Sequence, residues 1–392
     1  MTSASIEDVA EFVLDGTHGS PARTESGIPV LSAQNVRDGV LTYETDRYTS
    51  LVEYEEFKKR LPLRRGDVLL TIVGTIGRAA VLEEVRPLVF QRSVAVIRPR
   101  EDFLHPRFLY HVSQIQIFQA QLSRASNQSS QAGVYLGRLK KLRIPLPPLP
   151  EQRRIVDILD KAEALRAKRR AALAQLDSVT QSIFLDMFGD PATNPKRWPR
   201  AVLGDVIFSA SDGPHVSPAY TEDRENGIPF LSTRHVRAGE LSWNDLKFIM
   251  SEDAEVQWRK CRPEIGDVLY TKGGTTGLAA TVKTDRPFAV WVHIALLKPD
   301  PAKVESVWLE NMLNSDFCYR QSQVLTHGIA NRDLGLTRMV KIKLYRPPLQ
   351  EQQRFVRRAD AAAHLKARQR AALAELDALF VSLQHRAFHG EL

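Results

Sequence analysis

Only two cysteines occur in 392 residues, Cys261 and Cys318. They cannot make a disulfide framework or a cysteine-based zinc cluster, and they suit the reducing cytoplasm. No stretch approaches the roughly 20 apolar residues of a membrane span, so no membrane partner is expected. The run Met1-Thr2-Ser3-Ala4-Ser5-Ile6-Glu7 has neither a basic region nor an apolar segment, so no signal peptide is expected. Gly74-Thr75-Ile76-Gly77 and Gly273-Gly274-Thr275-Thr276-Gly277 are glycine-rich. Neither completes a G-x-G-x-x-G pattern, and no Gly-Lys-Ser/Thr follows, so they read as tight turns rather than cofactor loops. His18 and His215 recur in matching places without Cys/His partners at ligand spacing, so no metal site is expected.

What is present is length enough for two or three domains. Hydrophobic residues make up 43%, enough for real cores. A net charge of +8 and a pI near 9.4 favour a polyanionic partner without establishing one.

The chain is written twice. Ile28-Pro29-Val30-Leu31-Ser32 returns as Ile228-Pro229-Phe230-Leu231-Ser232, and Gly66-Asp67-Val68-Leu69 as Gly266-Asp267-Val268-Leu269. Pro147-Pro148-Leu149 with Glu151-Gln152 returns as Pro347-Pro348-Leu349 with Glu351-Gln352. Ala171 to Asp177 returns as Ala371 to Asp377. These blocks share an offset of 200, and an earlier block, Gly16 to Pro21 against Gly213 to Pro218, is offset by 197. A polar insertion around Thr221 to Asn226 accounts for the change of register. Two copies of this length mean two domain-plus-helix units and not a solenoid. In each, short apolar runs punctuated by Gly, Pro and Asp read as strands and turns. A helix near Pro106–Gln121 or Ala302–Gln323 follows, and then a proline-rich stretch announces a long helix.

The expected organisation is a first domain at 1–149, a helix at 150–189, a linker at 190–199, a second domain at 200–349 and a second helix at 350–392. Glu151 to Phe188 contains no Gly or Pro and is rich in Ala, Leu, Arg and Gln. Pro150 suits a first turn, and Gly189-Asp190-Pro191 stops the helix. Ile158, Ala162, Leu165, Arg169, Ala172, Leu176, Val179 and Ile183 follow a 4-3 spacing. Adding 200 gives Arg358, Ala362, Leu365, Gln369, Ala372, Leu376, Leu379 and Leu383. This heptad pattern predicts helices packed at a shallow angle, with a polar residue (Arg169, Gln369) at the same seam position in both copies. The simplest packing is an intramolecular antiparallel pair; the alternative is that each helix packs on its own domain. At 1.5 Å per residue a helix of this length spans roughly 57 Å. Residues 153–170 carry seven Lys/Arg against three Asp/Glu, and 353–370 carry six against one. The helices therefore hold the chain's basic excess, for DNA phosphates, for acidic protein surfaces or as a solvated face.

Gly27-Ile28-Pro29-Val30-Leu31-Ser32 with Gln34-Asn35-Val36, Gly66-Asp67-Val68-Leu69-Leu70 with Gly74-Thr75-Ile76-Gly77, and Pro145 through Ile155 closely resemble the specificity subunits of type I restriction–modification systems. Phe188-Gly189-Asp190-Pro191 with Asn194-Pro195-Lys196 resembles that family's bridge into its second half. The resemblance covers essentially the whole chain. It implies an α+β fold with two similar globular target recognition domains, each followed by a long α-helix, the two helices paired as an antiparallel coiled-coil spacer. Each domain would read one half-site of double-stranded DNA. The helices would set the half-site spacing and dock two methyltransferase subunits, which hold S-adenosylmethionine and methylate adenine. Two restriction subunits, using ATP with Mg2+, would join where the system has them. The chain itself would carry no cofactor and do no chemistry. An Asn/Asp-Pro-Pro-aromatic loop for an extruded adenine is absent, since Asn194-Pro195-Lys196 and Arg346-Pro347-Pro348-Leu349 are not it.

The second copy departs where reading would occur: Gln34-Asn35 becomes Arg234-His235, Ile72-Val73 becomes Lys272-Gly273, and Gln91-Arg92 becomes Trp291-Val292. Divergent readers on a retained framework predict an asymmetric, bipartite target; degeneration of one reader is the alternative. Base edges are read by Arg, Lys, Asn and Gln. The candidates are Gln34, Asn35, Arg92, Asn127 and Gln128 in the first copy, and Arg234, His235, Lys272, His293 and Asn331 in the second. Ser129, Ser130, Thr75 and Thr275 suit phosphate contacts.

Overall fold

Val68–Thr71 and Val94–Pro99 are strands in which every residue is buried, so the sheet they share is covered on both faces. In this computed structural model, which describes residues 2–17, 19–37, 39–126, 133–328 and 332–392, they form the middle of a four-stranded antiparallel sheet. Its order is Ala10–Asp15, Val94–Pro99, Val68–Thr71, Ala79–Val81. Alternate residues point to opposite faces. Val68, Leu70, Ala95 and Ile97 therefore join a core with Phe108 and Leu122 of the helices Pro106–Gln114 and Gln116–Ala125. Leu69, Val94 and Val96 join another with Val30, Leu31, Phe57 and Phe90. The same sheet recurs in the second half, ordered Ile207–Asp212, Ile294–Pro299, Val268–Thr271, Ala279–Thr281. Beside it, Ile228–Leu231 lies parallel to Ala289–Val290, as Ile28–Leu31 lies parallel to Val89–Phe90.

The long helices are Leu149–Phe188 and Leu349–His389. Each ends at a glycine in the left-handed region, Gly189 (φ +77°) and Gly390 (φ +78°), which L side chains rarely adopt. Each carries in its first turn a glutamine, Gln152 or Gln352, that is 0% exposed. The Gln152 side chain accepts from His105 N (2.9 Å) and donates to the carbonyls of Phe103 and Pro147 (both 2.8 Å). Gln352 repeats this with Glu305 N (3.0 Å), Lys303 O (3.2 Å) and Pro347 O (2.8 Å). The recurring Glu-Gln is thus a latch: one buried amide bonds three backbone groups and ties the helix start to its domain.

The chain divides into two compact units, residues 1–170 with 371–392, and residues 171–370. Each unit takes part of both long helices, and within each the two segments run antiparallel. In the first, Arg166 pairs with Asp377 (2.5 Å) and Arg154 donates to Leu392 O (3.1 Å). In the second, Lys366 pairs with Asp177, and Arg358 with Asp186 (3.5 Å). A shift of 200 maps Arg166–Asp377 onto Lys366–Asp177. Phe380 and Ala387 complete the first unit's core beside Ile155 and Leu159. Phe355 completes the second's, with ring centroids 5.5 Å from Phe184 and 5.7 Å from Phe188.

The expected seam has two rows. Ala162, Arg169, Leu176 and Ile183 are half-buried, as are Ala362, Gln369, Leu376 and Leu383. The other row is displaced by one residue, to Leu159, Arg166, Leu173 and Thr180, and to Ala359, Lys366, Leu373 and Phe380. Leu165 (54%), Leu365 (44%) and Leu379 (51%) are exposed, a correction to the expected seam. Ile158, Ala172, Ala372 and Val179 flank it, half-buried. The displacement follows from charge. Arg166 lies 4.2 Å from the Phe380 ring centre and pairs with Asp377, so a cation with an apolar stem takes the place expected for leucine.

Candidate nucleic-acid interface

In each unit several connections meet at one end of the sheet, and backbone bonds fix them to one another. In the first, the turn Gln91-Arg92-Ser93 is the hub. Gln91 N donates to Leu31 O (2.9 Å), Arg92 N to Thr17 O (3.1 Å) and Ile72 N to Ser93 O (2.9 Å). Ala33 N donates to Ser93 Oγ (3.1 Å), and Val134 N to Ile72 O (2.8 Å). Gly16 lets the chain pass this close, because a Cβ there would lie 2.1 Å from Phe90 O. Its counterpart Gly213 would place one 2.0 Å from Val290 O, which explains the earliest repeat block.

Gln34, Thr75 and Arg92 are exposed on this rim. Asn35 is not a free reader. It is 6% exposed, its oxygen accepts from Ser32 N (3.0 Å), and its nitrogen donates to Thr42 O (3.2 Å) and Glu44 O (2.9 Å). Its amide is spent on the turn, a correction to its expected role. Asn127, Gln128, Ser129 and Ser130 lie outside the described residues, as do His18 and Asn331. The 127–130 candidates sit between Ser126 and Val134, which are bridged to each other.

The second rim keeps the framework: Trp291 N donates to Leu231 O (2.9 Å), Lys272 N to His293 O (2.8 Å) and Leu334 N to Lys272 O (2.7 Å). Arg234, Thr275 and His293 are exposed on it, with one Arg234 nitrogen bonded to Asp245 O (2.8 Å). His235 occupies Asn35's slot, is 3% exposed and accepts from Ser232 N (2.9 Å). Burial, helped by Arg234, pulls its pKa down and favours the neutral ring. Lys272 is 5% exposed, 3.0 Å from Asp333 and 3.5 Å from Asp212. His235 and Lys272 are therefore framework side chains in this structure, a second correction to the reader set.

Nucleophilic chemistry finds no purchase in the thiols. Burial pushes Cys261 up to about 11 and Cys318 up to about 12. Among the described residues, the one grouping with metal-ligand geometry is His111, Asp160 and Glu163. Arg107 already supplies its positive charge, 2.5 Å from Asp160 and 3.5 Å from Glu163; His111 Nε2 is 2.7 Å from Asp160, and the Tyr110 hydroxyl donates to Glu163 (2.9 Å). In the second unit Val307, Glu310, Asn311, Asp360 and Ala363 stand at the equivalent positions, so that of the five side chains only the carboxylate of Asp160 is kept, and they line an open cleft of about 1100 Å³. The latches, the Ser93 hub and the Asp212–Lys272–Asp333 cluster went unrecognised from sequence. Only the latch had a visible signal, the Glu-Gln repeated in both copies.

The family model described as "Type I restriction modification DNA specificity domain" matches residues 2–175 and again 195–371. The specificity subunit of the type I restriction enzyme EcoKI from Escherichia coli K12 is 23% identical over 405 aligned residues, spanning 93% of this chain and 82% of that protein. A solved type I restriction–modification S subunit from M. genitalium superposes with a TM-score of 0.61 at 12% identity, covering 99% of this chain and 96% of that one. A chain from a structure of type I restriction–modification complex assembly and conformational transition gives 0.58 at 19%, covering 100% and 98%. No helix among the described residues is long and apolar enough to cross a membrane.

Proposed function

Because the chain belongs to the type I restriction–modification DNA specificity family, we propose that each of its two rims reads one half of an asymmetric, gapped DNA target. The DNA-specificity role itself follows from membership of the family. One observation carries the finer reading: the two rims share a backbone framework but expose different side chains. Gln34, Thr75 and Arg92 stand on one, and Arg234, Thr275 and His293 on the other. Arginine and glutamine match guanine and adenine edges in the major groove, and the threonines suit phosphate oxygens. The described residues of 126–134 and 326–334 flank these rims, so Asn127, Gln128, Ser129, Ser130 and Asn331 remain in the proposed contact set.

The chain acts as a non-catalytic adaptor in the cytoplasm, where its DNA is. Two methyltransferase subunits bearing S-adenosylmethionine dock on the paired helices and methylate adenine. Restriction subunits using ATP and Mg2+ complete the assembly in systems that have them. Exposed Leu165, Leu365 and Leu379 on the outer helix faces support this docking.

The test is sequence-resolved methylation mapping in cells expressing this chain with its genomic methyltransferase neighbour. Adenine methylation at an asymmetric gapped motif, lost when the chain is omitted, is the expected result. Loss of the chain with no change in methylation, while the methyltransferase is active on another target, overturns the reading.

A further inference from the structure

The second rim contains a buried lysine that the first lacks: the Asp212–Lys260 pair has its counterpart in Asp15 and Arg60 (3.6 Å), but the residues at 272 and 333 have none of matching chemistry. Position 72 is isoleucine, 3% exposed and part of the apolar core, and position 133 is glycine. Their counterparts are Lys272 and Asp333, whose ammonium and carboxylate meet at 3.0 Å. Asp212, only 6% exposed, approaches the same ammonium at 3.5 Å and also takes Lys260 at 2.6 Å. A buried lysine needs such partners, since an unpaired ammonium is expensive to desolvate.

The backbone around Lys272 explains why this matters for reading. Gly274 N donates to Arg332 O (3.2 Å), and His327 and Asp333 exchange a pair of bonds, N to O, at 3.0 and 2.9 Å. Lys272 thus stands where the strand Ile207–Asp212 ends, where the turn bearing Thr275 begins, where His293 is anchored, and where Arg332-Asp333-Leu334 returns to the sheet. In the first unit the peptide bonds at Ile72 make the equivalent links to Ser93 and Val134, but the side chain contributes only apolar packing.

We propose that Lys272, held between Asp212 and Asp333, is a positioning residue that sets the stringency of the second half-site and has no equivalent in the first. It touches no base; it holds the surrounding connections in one arrangement, so that Arg234, Thr275 and His293 meet DNA in a fixed geometry. This rests on the reading of the rims as DNA readers.

Methylation mapping of the K272I variant, which installs the first unit's residue, tests it in the assembled complex. The expected result is methylation at sites mismatched in the second half rising tenfold or more, with the first half-site unchanged. K272R should restore much of the stringency. A purely structural role would lower methylation at all sites together and would not separate the halves. Unchanged second-half stringency in K272I overturns the proposal. Should K272I give no methylation, D333N decides by the same readout, since its amide oxygen still accepts from Gly335 N, bonded at 2.7 Å in the native chain. A wild-type complex with no gapped motif would instead remove the underlying reading.

Discussion

Replacing Gln152 by alanine should release the first long helix from its domain at a cost readable in a melting curve. The side chain is 0% exposed and makes three hydrogen bonds, to His105 N, Phe103 O and Pro147 O. Each is worth about 1 kcal/mol net, and a buried backbone group left without a partner loses at least that much, so Q152A costs about 3 kcal/mol. For a unit of this size, about 2–4 °C per kcal/mol applies, so the first unit's transition should fall by about 6–12 °C. Q152E is the sharper companion. It keeps an acceptor for His105 N but turns an oxygen toward two carbonyls, so it should be no better tolerated than Q152A. Differential scanning calorimetry on the purified complex reads both. A shift below about 2 °C for Q152A would refute the latch, as would a benign Q152E.

Three further outcomes follow from the same geometry. Phe355 is fully buried between Phe184 and Phe188, so F355A should destabilise the second unit by about 3–5 kcal/mol in chemical denaturation; a loss under 1 kcal/mol would refute its central place. Burial opposes ionisation of Asp160, but the bonds from His111 and Arg107 outweigh it and hold the carboxyl at about 2, below its ordinary 3.8. Its stabilising effect is therefore complete above pH 3.8 and is lost as the pH falls toward 2, so the melting gap between wild type and D160N should close across that window; a constant gap would contradict this. R92A should relax the first half-site alone, and an unchanged methylation motif would remove Arg92 from the readers.

The repeat made the architecture legible. Glycine and proline punctuation, the buried strand runs and the helices free of Gly and Pro beyond their first turn all lie within reach of sequence pattern. Function was less so, because exposure depends on partners far away in sequence. Asn35 and Gln34 are adjacent polar residues in one short turn, yet only the backbone geometry shows that Asn35 is consumed internally. Sequence alone does not separate Lys272 from a reader, because its two carboxylates lie 60 and 61 positions away in the chain. The seam slipped by one residue in one row for a related reason. Leu165 and Leu365 carry the stronger hydropathy, but Arg166 and Lys366 have acidic partners across the helix pair, which no single-helix pattern contains.

The partition of the long helices has a temporal consequence. Residues 171–370 form one uninterrupted stretch, so the second unit can close as soon as that stretch exists. The first unit needs Phe380 and Ala387, made about 200 residues after Arg170. At 5–20 residues per second that is an interval of roughly 10–40 s during synthesis. Throughout it, Ile155 and Leu159 lack their covering helix, and the half that starts first finishes last. A ribosome stalled anywhere in that interval displays an adhesive apolar face, which makes the nascent chain a substrate for chaperones well before it meets DNA.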